Sequence, residues 1–313
     1  MYKVCIYNDN NETIIHYPTS DQGAPHLNKL PLKEGLSQVE SLSFSVYPNN
    51  PGYNNLFELS TKLKVIDIRD TSIRFTGRIL SVTPKMDSSG QFFKDVVCEG
   101  ALSYLNDTKM RSETYLGDPS GFVQWILDKH NEKVETSKRI QPGNINVAGS
   151  VAYTCTFDTT LNTILTVKDK FSIDGDIRVR ESDGLLYLDW MKNFSSDTVE
   201  VALGVNMDDM VKSKDITSLG TRIIPLGANN LTIESVNGGL DYIEDSLARD
   251  LYGIIEKTVQ YSDVTDPQQL MDKCIQDLSS NTQAKYLLTT TALDLSFISS
   301  TPANMFVLGI NLH

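Results

Sequence analysis

The chain has 313 residues, 40% of them hydrophobic and 22% charged, with 40 Asp and Glu against 28 Lys and Arg. That composition belongs to a folded protein too long for one economical core, so two or more domains are expected. A formal net charge of −12 argues against tight nucleic-acid binding, which needs Lys and Arg to neutralise phosphates.

The first hundred residues read as strand after strand. Met1-Tyr2-Lys3-Val4-Cys5-Ile6-Tyr7 reads as a strand and lacks the basic and apolar regions of a secretory leader, so synthesis and folding in a cytoplasm are expected. A second strand is expected over 13–17, and Leu42-Ser43-Phe44-Ser45-Val46-Tyr47 alternates apolar and polar, the period of a half-buried strand. Pro48-Asn49-Asn50-Pro51-Gly52 is a turn signal. Strands follow at 63–68, 73–75 and 78–82, and Asp87-Ser88-Ser89-Gly90 turns the chain into a return arm over 92–99. Closely spaced strands without helices between them predict an antiparallel sandwich or barrel.

The pattern changes after Asn106-Asp107. Phe122, Val123, Trp125, Ile126 and Leu127 suit a short amphipathic helix starting near Pro119. A second helix is expected over 158–171, with Leu161, Leu165 and Lys168 on one side. Asp183-Gly184 between two alternating runs, 176–180 and 185–190, marks a hairpin. Further on, strands are expected at 221–225 and 231–234, a turn at 237–239, helices at 242–251 and 266–281, and last strands at 285–293 and 305–310.

Side chains that carry chemistry are scattered. Cys5, Cys98, Cys155 and Cys274 stand far apart, without metal-ligand spacing. His16, His26, His130 and His313 lie beside no nucleophile motif. Asp174-Gly175-Asp176 with Asp183-Gly184 lacks the ligand order of a calcium loop, and Asp208-Asp209 reads as solvated surface. Hydrolase and phosphate-binding signatures are missing. No catalytic, cofactor-binding or metal residues are therefore assigned. No stretch approaches the roughly 20 apolar residues of a membrane span. Tyr47, Tyr53 and Phe57 flank a Pro/Asn-rich turn, a pattern open to loop packing or to carbohydrate binding.

Several segments, in order, resemble the hub proteins at the distal end of phage tails, the prophage endopeptidase tail (tail-associated lysin) family. They are residues 40–51 (ESLSFSVYPNNP) with 53–56, FTGRI at 75–79, VCEGALSYLND at 97–107, LLYLDW at 185–190, TRIIPLGA at 221–228, SVNGG at 235–239 with 241–243, and ALDL at 292–295. The resemblance implies an α+β, mainly β, baseplate-hub-like fold, with two related antiparallel β-barrel domains and inserted α+β domains. Its expected divisions are a first barrel at 1–108, an inserted α+β domain at 109–200, and a second barrel at 201–313 with a helical insertion at about 240–283.

What the family implies about function follows from symmetry. Three copies, each with two equivalent barrels, form a pseudo-sixfold ring that can cap a hexameric distal tail ring. The expected partners are a second and third copy of the chain, that hexameric ring, the tape-measure protein and the host cell envelope. The expected place is the virion tail tip, assembled in the host bacterial cytoplasm. The hub would close the tail tube until host contact and then open for genome delivery, without cofactors and without specific nucleic-acid binding. A peptidase, where the family has one, follows the hub region, so no enzymatic activity is expected here. The rival readings are a peptidoglycan endopeptidase and a carbohydrate-binding receptor module at Tyr47, Tyr53 and Phe57.

Overall fold

The computed structural model describes residues 1–9, 11–19, 21, 23–194, 198–199, 201–217, 219–261, 264–293 and 311–312. They fall into two compact units. One holds the described residues up to Val199 together with Asn311 and Leu312, and the other holds those from 201 to 293.

The first unit begins with β1 (Tyr2–Asn8), β2 (Asn11–His16), β3 (Leu32–Lys33), β4 (Ser41–Val46), β5 (Lys62–Asp67), β6 (Ile73–Met86) and β7 (Phe92–Gly100). These form one antiparallel sheet in the order β2-β1-β5-β6-β7-β4-β3. The alternation read from β4 buries Leu42, Phe44 and Val46, which meet Ile6, Ile15, Val65, Phe75, Ile79 and Val96 in one core.

Residues 25–28 bridge two sides of this sheet. Tyr17 N–H donates to Pro25 O (3.0 Å) and Leu27 N–H to His16 Nδ1 (3.2 Å), while Asn28 and Ser45 exchange backbone hydrogen bonds of 3.1 and 2.9 Å. These bonds satisfy backbone groups beyond the β2 ladder, and the sheet curls around its core.

A 3₁₀ helix, Ala101–Asn106, carries the chain out of β7. Its residues Ala101, Leu102, Tyr104 and Leu105 are buried in a second core. That core is built from β8 (Thr114–Gly117), α1 (Pro119–Asn131), β9 (Ile140–Ile145), β10 (Val151–Thr154), α2 (Thr160–Lys170), β11 (Asp176–Ser182) and β12 (Leu185–Met191). Asp118 caps α1 by accepting from Gly121 N–H, with Pro119 in the first turn, and Thr159 caps α2 through Asn162 N–H. Phe122, Val123, Ile126, Leu161, Ile164 and Val167 then face Leu188 and the fully buried Trp190 of β12. The β11–β12 turn has Asp183 and Gly184 at φ 51° and 76°, as a two-residue Asp-Gly hairpin requires. A short strand, β13 (Thr198–Val199), follows.

The second unit contains β14 (Met207–Asp215), β15 (Arg222–Leu226), β16 (Ile243–Glu244), α3 (Ser246–Tyr252), β17 (Glu256–Gln260), α4 (Pro267–Thr282) and β18 (Lys285–Ala292). Strand β15 pairs antiparallel with β16 and parallel with β17. Ile223, Ile233, Tyr261, Val264, Leu270 and Cys274 form its core. Strands β14 and β18 make a separate antiparallel ribbon. In the first unit, β19 (Asn311–Leu312) pairs parallel with β13.

The class is mainly β with α+β character, as expected. Three local expectations change. Residues 231–234 lie outside any strand, because Gly227 N–H donates to Leu231 O and Gly239 N–H to Glu234 O, while Ile233 is buried in the core and Leu231 packs against it. The helix expected at 242–251 starts at Ser246, since Ile243 and Glu244 join β15 and Asp245 caps the helix through Ala248 N–H. Strand β14 was not anticipated. The strand expected at 305–310, and Asp294-Leu295 of the ALDL segment, lie outside the described residues.

Candidate functional site

Two of the segments that carry the family resemblance are built around an arginine. Arg78, in the FTGRI segment, lies in β6 opposite Glu99 of β7 and is 6% exposed. Its Nε donates to Glu99 Oε1 at 2.7 Å, and its two terminal nitrogens donate to Asp107 at 2.6 and 2.8 Å. The guanidinium lies 5.2 Å from the Tyr104 ring centroid, and Lys138 adds a second cation 3.1 Å from Asp107. Burial opposes ionisation of Asp107, but the hydrogen bonds from Arg78 and Lys138 outweigh it and hold the carboxyl below its ordinary value. The neighbouring glycine follows from the same geometry: a Cβ on Gly77 would sit 2.1 Å from Glu99 O.

Arg222, in the TRIIPLGA segment, repeats the arrangement in the second unit. It stands in register with Glu244 of β16 and Glu256 of β17. It bonds them at 2.9 and 3.2 Å, and the Tyr242 ring is 4.0 Å from its guanidinium carbon. Thr221 beside it is fully buried, donating to Gly253 O at 2.7 Å and accepting from Ile255 N–H at 2.8 Å. In both units an arginine in a strand is flanked by carboxylates and an aromatic ring.

A small charged cleft of ≈ 140 Å³ lies where the first sheet meets β11, lined by Glu34, Glu40, Arg74, Thr76, Arg178 and Glu181, among others. Burial pushes the Glu40 carboxyl up to about 7, Glu34 reinforces this, and Arg178 opposes it. Burial likewise lowers Arg178 below its ordinary value. Mixed charge and small volume make this an ionic seam within the unit.

The residues weighed in the sequence are dispersed. His130 is buried, its ring 2.7 Å from Thr108 Oγ1 and 3.3 Å from Lys138 O, and burial lowers its pKa. The His16 and His26 rings meet edge to face at 5.7 Å, and His313 lies outside the described residues. Asp174 accepts from Gly175 N–H, Asp176 from Ser37 Oγ, and Asp208 and Asp209 are exposed on β14. All four cysteines are free and buried. Among the described residues no group of three His, Cys, Asp or Glu could hold a metal ion, and no helix is long and apolar enough to cross a membrane. Tyr47 contacts Phe93 (5.6 Å) and Lys94 stands 4.2 Å over the Tyr53 ring, while Phe57 is 54% exposed. These three aromatics do not form one platform.

Residues 195–309 match the family model described as prophage endopeptidase tail. Over this region the chain is similar to prophage tail proteins. Among solved structures, the tail protein of Neisseria meningitidis is similar over 100% of this chain and 86% of its own, at 13% identity and a TM-score of 0.60. The prophage tail protein gp18 of Listeria monocytogenes covers 91% of this chain and 80% of its own, at 13% identity and a TM-score of 0.54. The 43 kDa tail protein of prophage MuSo2 from Shewanella oneidensis covers 87% and 77%, at 11% identity and a TM-score of 0.54. At these identities the likeness is one of fold. No curated protein matches the chain.

The matched segment contains Arg222 with its two carboxylates, so one of the two arginine junctions lies within it. Sequence reasoning singled out both motifs but not the partners of their arginines. Glu244 and Glu256 sit in strands whose pairing is set by the fold, and the Glu40 cleft has no local signal at all.

Proposed function

We propose that the protein is a structural component of a phage tail, a hub at the distal end of the tail tube that acts as a trimer. The observation that carries this reading is that the whole chain, rather than one module, follows the fold of a tail protein, together with the prophage tail match over 195–309. The proposed divisions are a first hub barrel at 1–108, an inserted domain at 109–200, and a second barrel at 201–313 with its helical insertion at about 240–283. Three copies supply the pseudo-sixfold face that a hexameric distal tail ring needs. The parallel settings of Arg78 and Arg222 support related roles for the two regions.

In this role the chain is not an enzyme. It holds the tube closed against the tape-measure protein until the host cell envelope is met, then opens for the genome. It is assembled in the bacterial cytoplasm and carried at the virion tail tip. Immunogold labelling of induced virions tests the reading, with label expected at the tail tip only. Label along the tube or on the head would overturn the hub role, and cleavage of labelled peptidoglycan by the purified chain would overturn the non-enzymatic one.

A further inference from the structure

The first sheet carries a groove that the arginine junctions do not use. It has a volume of ≈ 660 Å³ and is lined by His26, Asn28, Tyr47, Asn49, Gln91 and Phe92, with Pro48 at its edge. Phe92 presents its ring to solvent, 61% exposed. No Lys, Arg, Asp or Glu lines the groove.

The walls are fixed from behind. Buried Asn50 donates through Nδ2 to Ile15 O (2.8 Å) and His26 O (3.1 Å), and its Oδ1 accepts from Gly52 N–H at 2.9 Å. Asn50 N–H donates to Tyr47 O at 3.0 Å, closing the turn that carries Asn49. On the other wall, Asp87 accepts from Ser89 N–H and Gln91 N–H at 2.9 and 3.0 Å, shaping the hairpin end next to Gln91 and Phe92. Asn28, Asn49 and Gln91 are exposed, so their amide donors and acceptors are open to solvent.

We propose that this groove binds a neutral oligosaccharide. An exposed aromatic ring offers an apolar face for the C–H side of a sugar. Amides offer paired donors and acceptors for vicinal hydroxyls. A lining without formal charge on its carboxyl or amine side chains, because it has none, favours uncharged sugars over anionic ones. Of the three aromatics flanking the turn, only Tyr47 lines the groove. The Tyr53 ring is taken by Lys94. The site is independent of the hub reading.

The test titrates the full chain by calorimetry and saturation-transfer NMR with chitotetraose, cellotetraose and maltotetraose, and with tetragalacturonate as the anionic contrast. At least one neutral tetrasaccharide is expected to bind. Phe92→Ala and Gln91→Ala, both at exposed positions, are each expected to weaken it by about tenfold with unchanged thermal midpoints, while Tyr53→Ala binds as the parent does. Failure of all three neutral sugars, preference for tetragalacturonate, or undiminished binding by Phe92→Ala would each overturn the proposal.

Discussion

Arg78 and Asp107 meet in a two-pronged ion pair of 2.6 and 2.8 Å, though they are 29 positions apart. Between them the chain finishes β6, turns, returns as β7 and passes through the 3₁₀ helix. The pair closes that excursion, tying the end of the curled sheet to the start of the helical layer. Arg78 is buried while its partners Asp107 and Glu99 keep 24% and 18% side-chain exposure, and its Nε is taken by Glu99.

Arg78→Ala is expected to destabilise the first unit by about 1–3 kcal/mol, because it removes charge-assisted hydrogen bonds to two partly exposed carboxylates, one of which keeps Lys138. Arg78→Lys should recover only part of that, because an ammonium cannot make the two-pronged contact. Both tryptophans, Trp125 and Trp190, lie in this unit, so urea unfolding followed by their fluorescence reads it selectively. An Arg78→Ala transition coinciding with the parent's would remove the ion pair from the account of stability.

Glu40 gives a pH dependence of defined sign. Its folded-state pKa is raised from 4.5 to about 7 by burial, so the folded state holds a proton that the unfolded chain has released. Stability from this group is full below about pH 4.5, falls as pH rises through that window, and levels off above about 7. The loss is on the order of a few kcal/mol. Urea titrations from pH 4.5 to 8 should show a flatter profile for Glu40→Gln than for the parent. Parallel profiles would refute the assignment.

Thiol chemistry should be silent in the folded protein. Burial pushes Cys5 and Cys274 up to about 11 and Cys98 up to about 12, and burial also raises Cys155. Thiolates are the reactive form. Ellman's reagent is expected to label none of the four in buffer and all four in denaturant, and rapid labelling of the native chain would contradict the burial.

The β14–β18 ribbon should be the least protected structure among the described residues. Met210, Val211, Leu287 and Leu288 are 55–63% exposed, and a two-stranded ribbon without a covered face is marginal by itself. Hydrogen exchange is expected to run at least ~100-fold faster there than in the central β6–β7 pairing. Equal protection in the isolated chain would show that something covers the ribbon.

What could be read in the sequence is what burial writes into it. Leu42, Phe44 and Val46 alternate because one face of β4 is in the core, and Asp183-Gly184 takes the positive φ that only such a turn needs. Pro267 follows Asp266, which caps α4 by accepting from Gln269 N–H. The failures have equally physical reasons. Leu231-Thr232-Ile233-Glu234 has a strand's composition, yet its carbonyls are satisfied by turns and only Ile233 is fully buried. Strand β14 is exposed on both sides, so no period of two marks it. The arginine junctions were visible as motifs but not as contacts, because Arg222 meets Glu244 and Glu256 across 22 and 34 positions.

The 3₁₀ helix Ala101–Asn106 has a mechanical consequence. It joins the curled sheet to the helical layer with five of its six residues buried, and Arg78 and Lys138 both pair with Asp107 at its C-terminal end. A linker of that length would let one part swing before the other felt a pull. This junction has no slack, so a displacement imposed on the helical layer is delivered at once to the strands of the sheet, as by a lever with a welded pivot.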